Sequence, residues 1–376
     1  MPPKISTRGR RIIVAIKTAR EAFCASFHAH PPLRAAYRNA SLDCLQKRAS
    51  RLTPPAGAIV VSKTPASGQF STIQAAVNSL PNDGSTQTIF INPGTYSEQV
   101  SITRSGMLTV CILLFFFRRP SSYTLKILGA TSNTASQASN EVIITHSLSA
   151  AAAGTDDLSG TLRVNKADFA LYNVNVKNTF GQGSQALALS ASGTNQGYYA
   201  AGFYGYQDTV LSESGNQYFG FCYIEGAVDF IFGQHARTFF QKNTIASVGP
   251  GTITADGPAS KTDGLFVINE STIQQSTAAT SSLTAEVFLG RPWTEFATVA
   301  FTSCSLSAII NPAGWEIWST ATPNTGDVTF AEYENTGAGA AGTRASFATK
   351  ITSNAAYNIG VVLGANWATW VDQSFV

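Results

Sequence analysis

The chain has 376 residues, 44% of them hydrophobic, only 12% charged, and a net charge of +3. That length can bury one large core or two ordinary ones, and a charge content about half the roughly 25% of ordinary soluble domains speaks against a charge-laced helical protein. Five cysteines, an odd count, and four scattered histidines give neither a disulfide framework nor a cluster with metal-ligand spacing.

Charge is unevenly placed. Met1 to Arg51 holds eleven Lys or Arg against Glu21 and Asp43, which leaves 14 basic and 20 acidic residues in the remainder. The basic stretch lacks the heptad or finger pattern that would point to nucleic acid, and nothing in it specifies a membrane. Residues 1–53 are therefore expected to be an extension, either a solvated, disordered tail or the product of a misassigned start. The best apolar run there, Ile12 to Ile16, is broken by Lys17 and Arg20 and falls short of the roughly 7 to 15 residues of a secretory signal.

The body is expected from Pro54 to Val376. Ile59 to Ser62 reads as a strand, and a short helix follows from about Ser71, with Ile73, Ala76, Val77 and Leu80 at helical spacing and Ser71 as its N-cap. Pro81 and the NDGS turn end it. TIFINPGTYSEQV, residues 88–100, then reads as strand, Pro-Gly turn, strand. An apolar run, Met107 to Phe117, interrupts this pattern; it is too short for the roughly 20 residues of a spanning helix and lacks strand alternation. A fully buried strand is one reading. Removing about 17 residues here would join SGML to LKILGAT as one ordinary strand, so a retained intron, an insert at about residues 107–123, is the reading preferred here, decided by sequencing the transcript.

After Gly129 a cassette recurs, with six-residue strands apolar at first and last positions: LYNVNV from Leu171, AGFYGY from Ala201, FGFCYI from Phe219, FQKNTI from Phe240, INESTI from Ile268 and FTSCSL from Phe301. Short strands recurring at such intervals indicate a solenoid of parallel, stacked coils. The fourth position, often Asn, Ser or Cys, suits a ladder of like side chains inside it. An antiparallel sandwich competes, but two-residue hairpin signals such as Asn-Gly are missing between the cassettes.

Most acidic residues, among them Asp156, Asp157, Asp263, Glu332 and Glu334, sit in loop-like sequence and are expected to be solvated. Asp208 and Asp229 differ. They lie among Tyr, Phe, Ile, Val and Gly in the stretch Gly205 to Gly233, 21 residues apart, close to one coil, which would set them about 5 Å apart along the solenoid axis. Close carboxylates push one another's pKa apart, so one can stay protonated while the other is ionised. Such a pair can hydrolyse glycosides or esters. Arg291, in LGRPW, is a candidate cation to orient one of them.

GYQDTVL, GAVDFIFG, LGRPW, QALAL from Gln185, GTYSEQV from Gly94 and GWEIW from Gly314 occur in the order found in pectin methylesterases, and the chain from Pro54 to Val376 resembles that family, its fungal members above all. The resemblance implies an all-β, single-stranded right-handed parallel β-helix with a short N-terminal capping helix. It implies hydrolysis of the methyl esters of polygalacturonate by a secreted monomer without metal or cofactor, acting on neither nucleic acid nor membrane. By the same resemblance Asp229 is the nucleophile and Asp208 the general acid and base. Arg291 keeps Asp229 ionised, Gln185 and Gln207 donate to the oxyanion, and Trp293, Tyr204 and Trp315 are sugar platforms. The alternatives are a β-helix pectate lyase or glycosidase, and a catalytically inactive pectin-binding solenoid. N-x-S sequons at Asn39 and Asn269 matter only on export.

Overall fold

The structure, a computed structural model, describes residues 50–103 and 123–376. The basic extension up to residue 49 and the apolar run 107–122 lie outside the described residues. Arg51 does not belong with a solvated tail. Its backbone bridges Thr131, and its guanidinium donates to Gly129 O and to Asn173 Oδ1 at 2.7 Å. Burial pulls its pKa down to about 10. The packed body thus begins a few residues before Pro54.

The described residues form a parallel β-helix, not a sandwich. Strands stack in three ladders. The first runs from Val100–Ile102 through Leu162–Val164 and Leu189–Ser192, then on to Ile231–Gly233, Gly251–Asp256 and Val287–Pro292. The second runs from Ile59–Val61 to Ala348–Lys350 and the third from Gly94–Ser97 to Ser305–Leu306. The eleven-residue strand Val210–Gly220 belongs to both of the first two ladders and fuses them into one 17-stranded sheet, while the third is an 8-stranded sheet. The Pro-Gly turn after Ile91 is accordingly a corner between sheets, since Gln87–Ile91 and Gly94–Ser97 pair within different sheets.

One device repeats at the corner from the second ladder to the third. Asn173, Ala200, Phe221, Lys242, Glu270, Ser303 and Glu334 all take a left-handed backbone, and the N–H groups of the first six donate to the coil above, as Ala200 N does to Gly220 O at 2.9 Å. The register sets the true cassette starts at Leu171, Tyr198, Phe219, Phe240, Ile268 and Phe301. The expected start at Ala201 was therefore three residues late, because Tyr198 and Ala201 are both apolar and both point inward. Inside, Tyr198, Phe219 and Phe240 stack with centroids 4.5 and 4.8 Å apart.

The fourth-position ladder is present. Asn243 Oδ1 accepts from Cys222 N, its own N–H donates to Ser271 Oγ, and Asn335 Oδ1 accepts from Cys304 N at 2.9 Å. These side chains replace backbone pairing that a corner would otherwise leave unmade. The capping helix spans Ile73–Asn78, with Thr72 rather than Ser71 as its N-cap. Glu98 accepts from the N–H groups of Ile73 and Gln74, an anion at the positive end of the helix.

Val100–Ile102 and Leu125–Gly129 lie in different ladders, and later coils pass from the first ladder to the second in residues 165–168 or 193–195. Tyr123 is already part of the packed body: it is 3% exposed, with its hydroxyl 2.5 Å from that of Tyr199. The expected insert therefore ends before it. Asn269 is committed too, its amide donating to Gln241 Oε1 and its carbonyl accepting from Thr302 Oγ1, both at 2.7 Å.

Candidate active site

Asp208 and Asp229 occupy equivalent places in adjacent coils, each just before a strand of the first ladder. Val210 pairs with Ile231, Asp208 N donates to Val228 O at 3.0 Å, and both aspartates take a left-handed backbone, with φ of 62° and 50°. That conformation is tolerated by Asp. The period of 21 residues is therefore one coil, as the sequence predicts. Both carboxylates are buried, and the two sit in different environments.

Asp229 is held from two sides. Arg291 Nε and Nη2 form a fork on it at 3.0 and 2.7 Å, and Thr252 Oγ1 donates to its Oδ1 at 2.5 Å while accepting from its backbone N–H. Arg291 comes from Val287–Pro292, two coils further along the first ladder. Burial alone would lower the Arg291 pKa; the hydrogen bonds and charge of Asp229 more than offset it. The close stacking that delivers this arginine depends on Gly290, where a Cβ would lie 2.0 Å from Thr254 Oγ1. Trp318 covers the other face of the guanidinium at 4.5 Å.

Asp208 has no such fork. Burial, followed by the charges of Asp229 and Asp156, pushes its pKa up to about 9, with Arg291 opposing. At neutral pH Asp208 is thus a carboxylic acid, beside the Asp229–Arg291 pair. Gln207 and Gln185 line the same corner. Ala186 N donates to Gln207 O, and Gln207 bridges Val228 of the next coil. Both side chains are half-buried; the amide of Gln207 makes no hydrogen bond to another described residue, and that of Gln185 only accepts from Ser184 Oγ. Their N–H donors are free for a ligand.

Three expected platforms separate in the structure. Trp293 is half-buried, packs with Leu187, Leu211, Phe232 and Ala255 along the outside of the first ladder, and lines a cavity of about 680 Å³ with Pro258, Glu295 and Pro323. Tyr204 does not belong to this site. It sits on the third ladder, with its hydroxyl accepting from Gln137, Lys177 4.5 Å from its ring and Tyr223 beside it. Trp315 is not a platform either, being 1% exposed, stacked on Phe330 at 4.2 Å and donating to Glu332 Oε1. Glu332, expected in solvent, is instead clamped by Arg344.

Thr252, Trp318 and Asp156 were not singled out by sequence reasoning. Trp318 stood in the GWEIW motif, and the in-register position of Thr252 was legible only once the coils were aligned. Asp256, at the foot of the Trp293 corner, is fully buried and accepts from Thr298 N at 2.6 Å; burial holds its pKa well above the usual range. Among the described residues there is no group of three or more His, Cys, Asp or Glu able to hold a metal.

Fold and site together define a parallel β-helix protein that carries a buried pair of aspartates on adjacent coils. The Pectinesterase family model matches residues 134–358. A pectinesterase from Aspergillus aculeatus is 47% identical over 336 residues, covering 87% of this chain and 95% of the relative. Among solved structures, the pectin methylesterase from Aspergillus niger in deglycosylated form has a TM-score of 0.77 at 36% identity, covering 87% of this chain and 100% of its own. The pectin methylesterase from carrot has a TM-score of 0.71 at 28% identity, covering 84% and 97%. The chain belongs to the pectinesterase family, a family of carboxylic ester hydrolases.

Proposed function

We propose that this protein removes methyl groups from esterified polygalacturonate, with Asp229 as nucleophile and Asp208 as acid and then base. The observation that carries the assignment of roles is the asymmetry of the pair: Asp229 bears the arginine fork, while Asp208 is buried without one and held protonated up to about 9. An oxygen of Asp229 adds to the ester carbonyl carbon, and the resulting oxyanion takes N–H donors from Gln185 and Gln207. Preorganised donors of this kind are worth about 2.7 to 4 kcal/mol each. Collapse breaks the bond to methoxide, which leaves as methanol with the proton of Asp208. The ionised Asp208 then takes a proton from water as that water attacks the acyl-enzyme, releasing the galacturonate carboxylate and restoring both aspartates.

Trp293 offers an aromatic face to a pyranose beside the reacting ester. No metal takes part in these steps. The same reading makes the protein a secreted monomer whose working unit is the β-helix body, with residues 107–122 an addition to it; the support for the latter is that later coils pass from the first ladder to the second in three or four residues. The full chain, given methylated pectin, is expected to release methanol and leave polymer length unchanged. Chain shortening with an unsaturated or reducing end would favour the lyase or glycosidase reading, and binding without methanol the inactive solenoid.

A further inference from the structure

Asp156 stands on the short helix Asp156–Ser159, in the segment that follows the third-ladder strand Val142–His146. That segment is fastened to the corner carrying the site. Ala150 N donates to Gln185 O at 2.8 Å, and Leu187 N donates to Ser159 Oγ at 3.2 Å. Leu189 pairs with Val210, so Leu187 is the register neighbour of Asp208, one coil earlier. The helix is therefore a wall of the site, one coil away from the proton-bearing aspartate. Its two acidic residues are used differently. Asp157 is bound by Arg163 and by Ser190 Oγ. The Asp156 side chain makes no ion pair and no hydrogen bond with another described residue, although it is half-buried.

We propose that Asp156 is a positioning residue for the ester hydrolysis: its uncompensated carboxylate, on the helical wall one coil from Asp208, adds to burial and Asp229 in keeping the proton on Asp208 and so raises the upper pH at which the enzyme turns over. The inference rests on the reading of Asp208 as the proton donor. Burial is the largest influence holding the proton on Asp208; among charged groups, Asp229 from the next coil and then Asp156 from the helix favour the protonated form, and Arg291 from beyond opposes it. Asp229 is already bound to the arginine, which leaves Asp156 as the uncompensated negative charge in the set. A group whose pKa a neighbouring anion raises loses its proton earlier when that anion is removed.

Methanol release by the full chain is followed across roughly pH 5 to 10 for the wild type, Asp156→Asn and Asp156→Glu. The alkaline midpoint is expected to fall by roughly half a unit to one unit in Asp156→Asn and to return in Asp156→Glu, which keeps the charge. An unmoved midpoint in Asp156→Asn, or an equal fall in both variants, overturns the proposal. A second measurement needs no turnover. The infrared band of the protonated Asp208 carboxyl, identified by its loss in Asp208→Asn, should vanish at lower pH in Asp156→Asn than in the wild type. If the wild type released no methanol, the functional reading would fall, while this titration would still decide whether Asp156 holds the proton.

Discussion

Removing Arg291 tests the ion pair on which the roles depend. In Arg291→Ala, Asp229 loses contacts at 3.0 and 2.7 Å and keeps Thr252 as its one side-chain donor. Breaking a buried pair by deleting one partner typically costs about 3 to 5 kcal/mol. Arg291 is 26% exposed, however, so water can partly replace it, and the lower figure of about 2 to 3 kcal/mol is the better expectation here. Without the fork the Asp229 carboxylate is also no longer held in one orientation. If the same energy is lost from the transition state, kcat/KM falls by roughly 30- to 150-fold. Arg291→Lys keeps a positive charge without the fork and should fall between the two. Methanol release at several substrate concentrations, with thermal melts of the same preparations, gives both quantities. Arg291→Ala with wild-type kcat/KM and an unchanged melt would refute the reasoning.

The raised pKa of Asp208 has a sign that can be checked. A carboxyl held protonated to about 9 in the fold but ionised from 3.8 in the unfolded chain destabilises the fold progressively as pH rises between those values. Asp208→Asn should therefore be inactive yet more stable than the wild type at pH 7, by up to about 4 kcal/mol, with the gain vanishing near pH 4; paired chemical denaturations at the two pH values measure it, and equal stability at both rejects it. Deletion of the internal ladder should act on the fold as a whole. Asn243→Ala leaves Cys222 N and Phe219 O without their partners, and a loss of about 3 kcal/mol is expected by denaturation; a loss below about 1 kcal/mol would show that the ladder contributes little.

The aspartate pair was legible because its 21-residue spacing equals one coil and because charge is scarce around it. Arg291 was legible through the rigid, aromatic motif that surrounds it. Tyr204 was assigned by the resemblance; only three residues separate it from Asp208, but in a solenoid those three turn a corner onto another face. Trp315 misled for a related reason. Its bridge to Gly290 places it in the last coils with the ring turned inward, and no alternation of polar and apolar residues in GWEIW announces that direction. Asp156 looked like a solvated loop residue because the hydrogen bonds that fold its helix back onto Gln185 and Leu187 join positions about thirty residues apart. Arg51 was assigned to the tail by charge alone, whereas its bonds to Gly129 and Asn173 draw it into the body. What a single sequence withholds here is register: which residues share a coil height, and which of them face in.

The central claim is that Asp229 attacks the ester. Its most direct test is methanol release from methylated pectin by Asp229→Asn beside the wild type, with circular dichroism and melting recorded on both. The account predicts that the variant keeps its fold and its melt and releases no methanol above background. A folded Asp229→Asn protein that still turned over at the wild-type rate would contradict it.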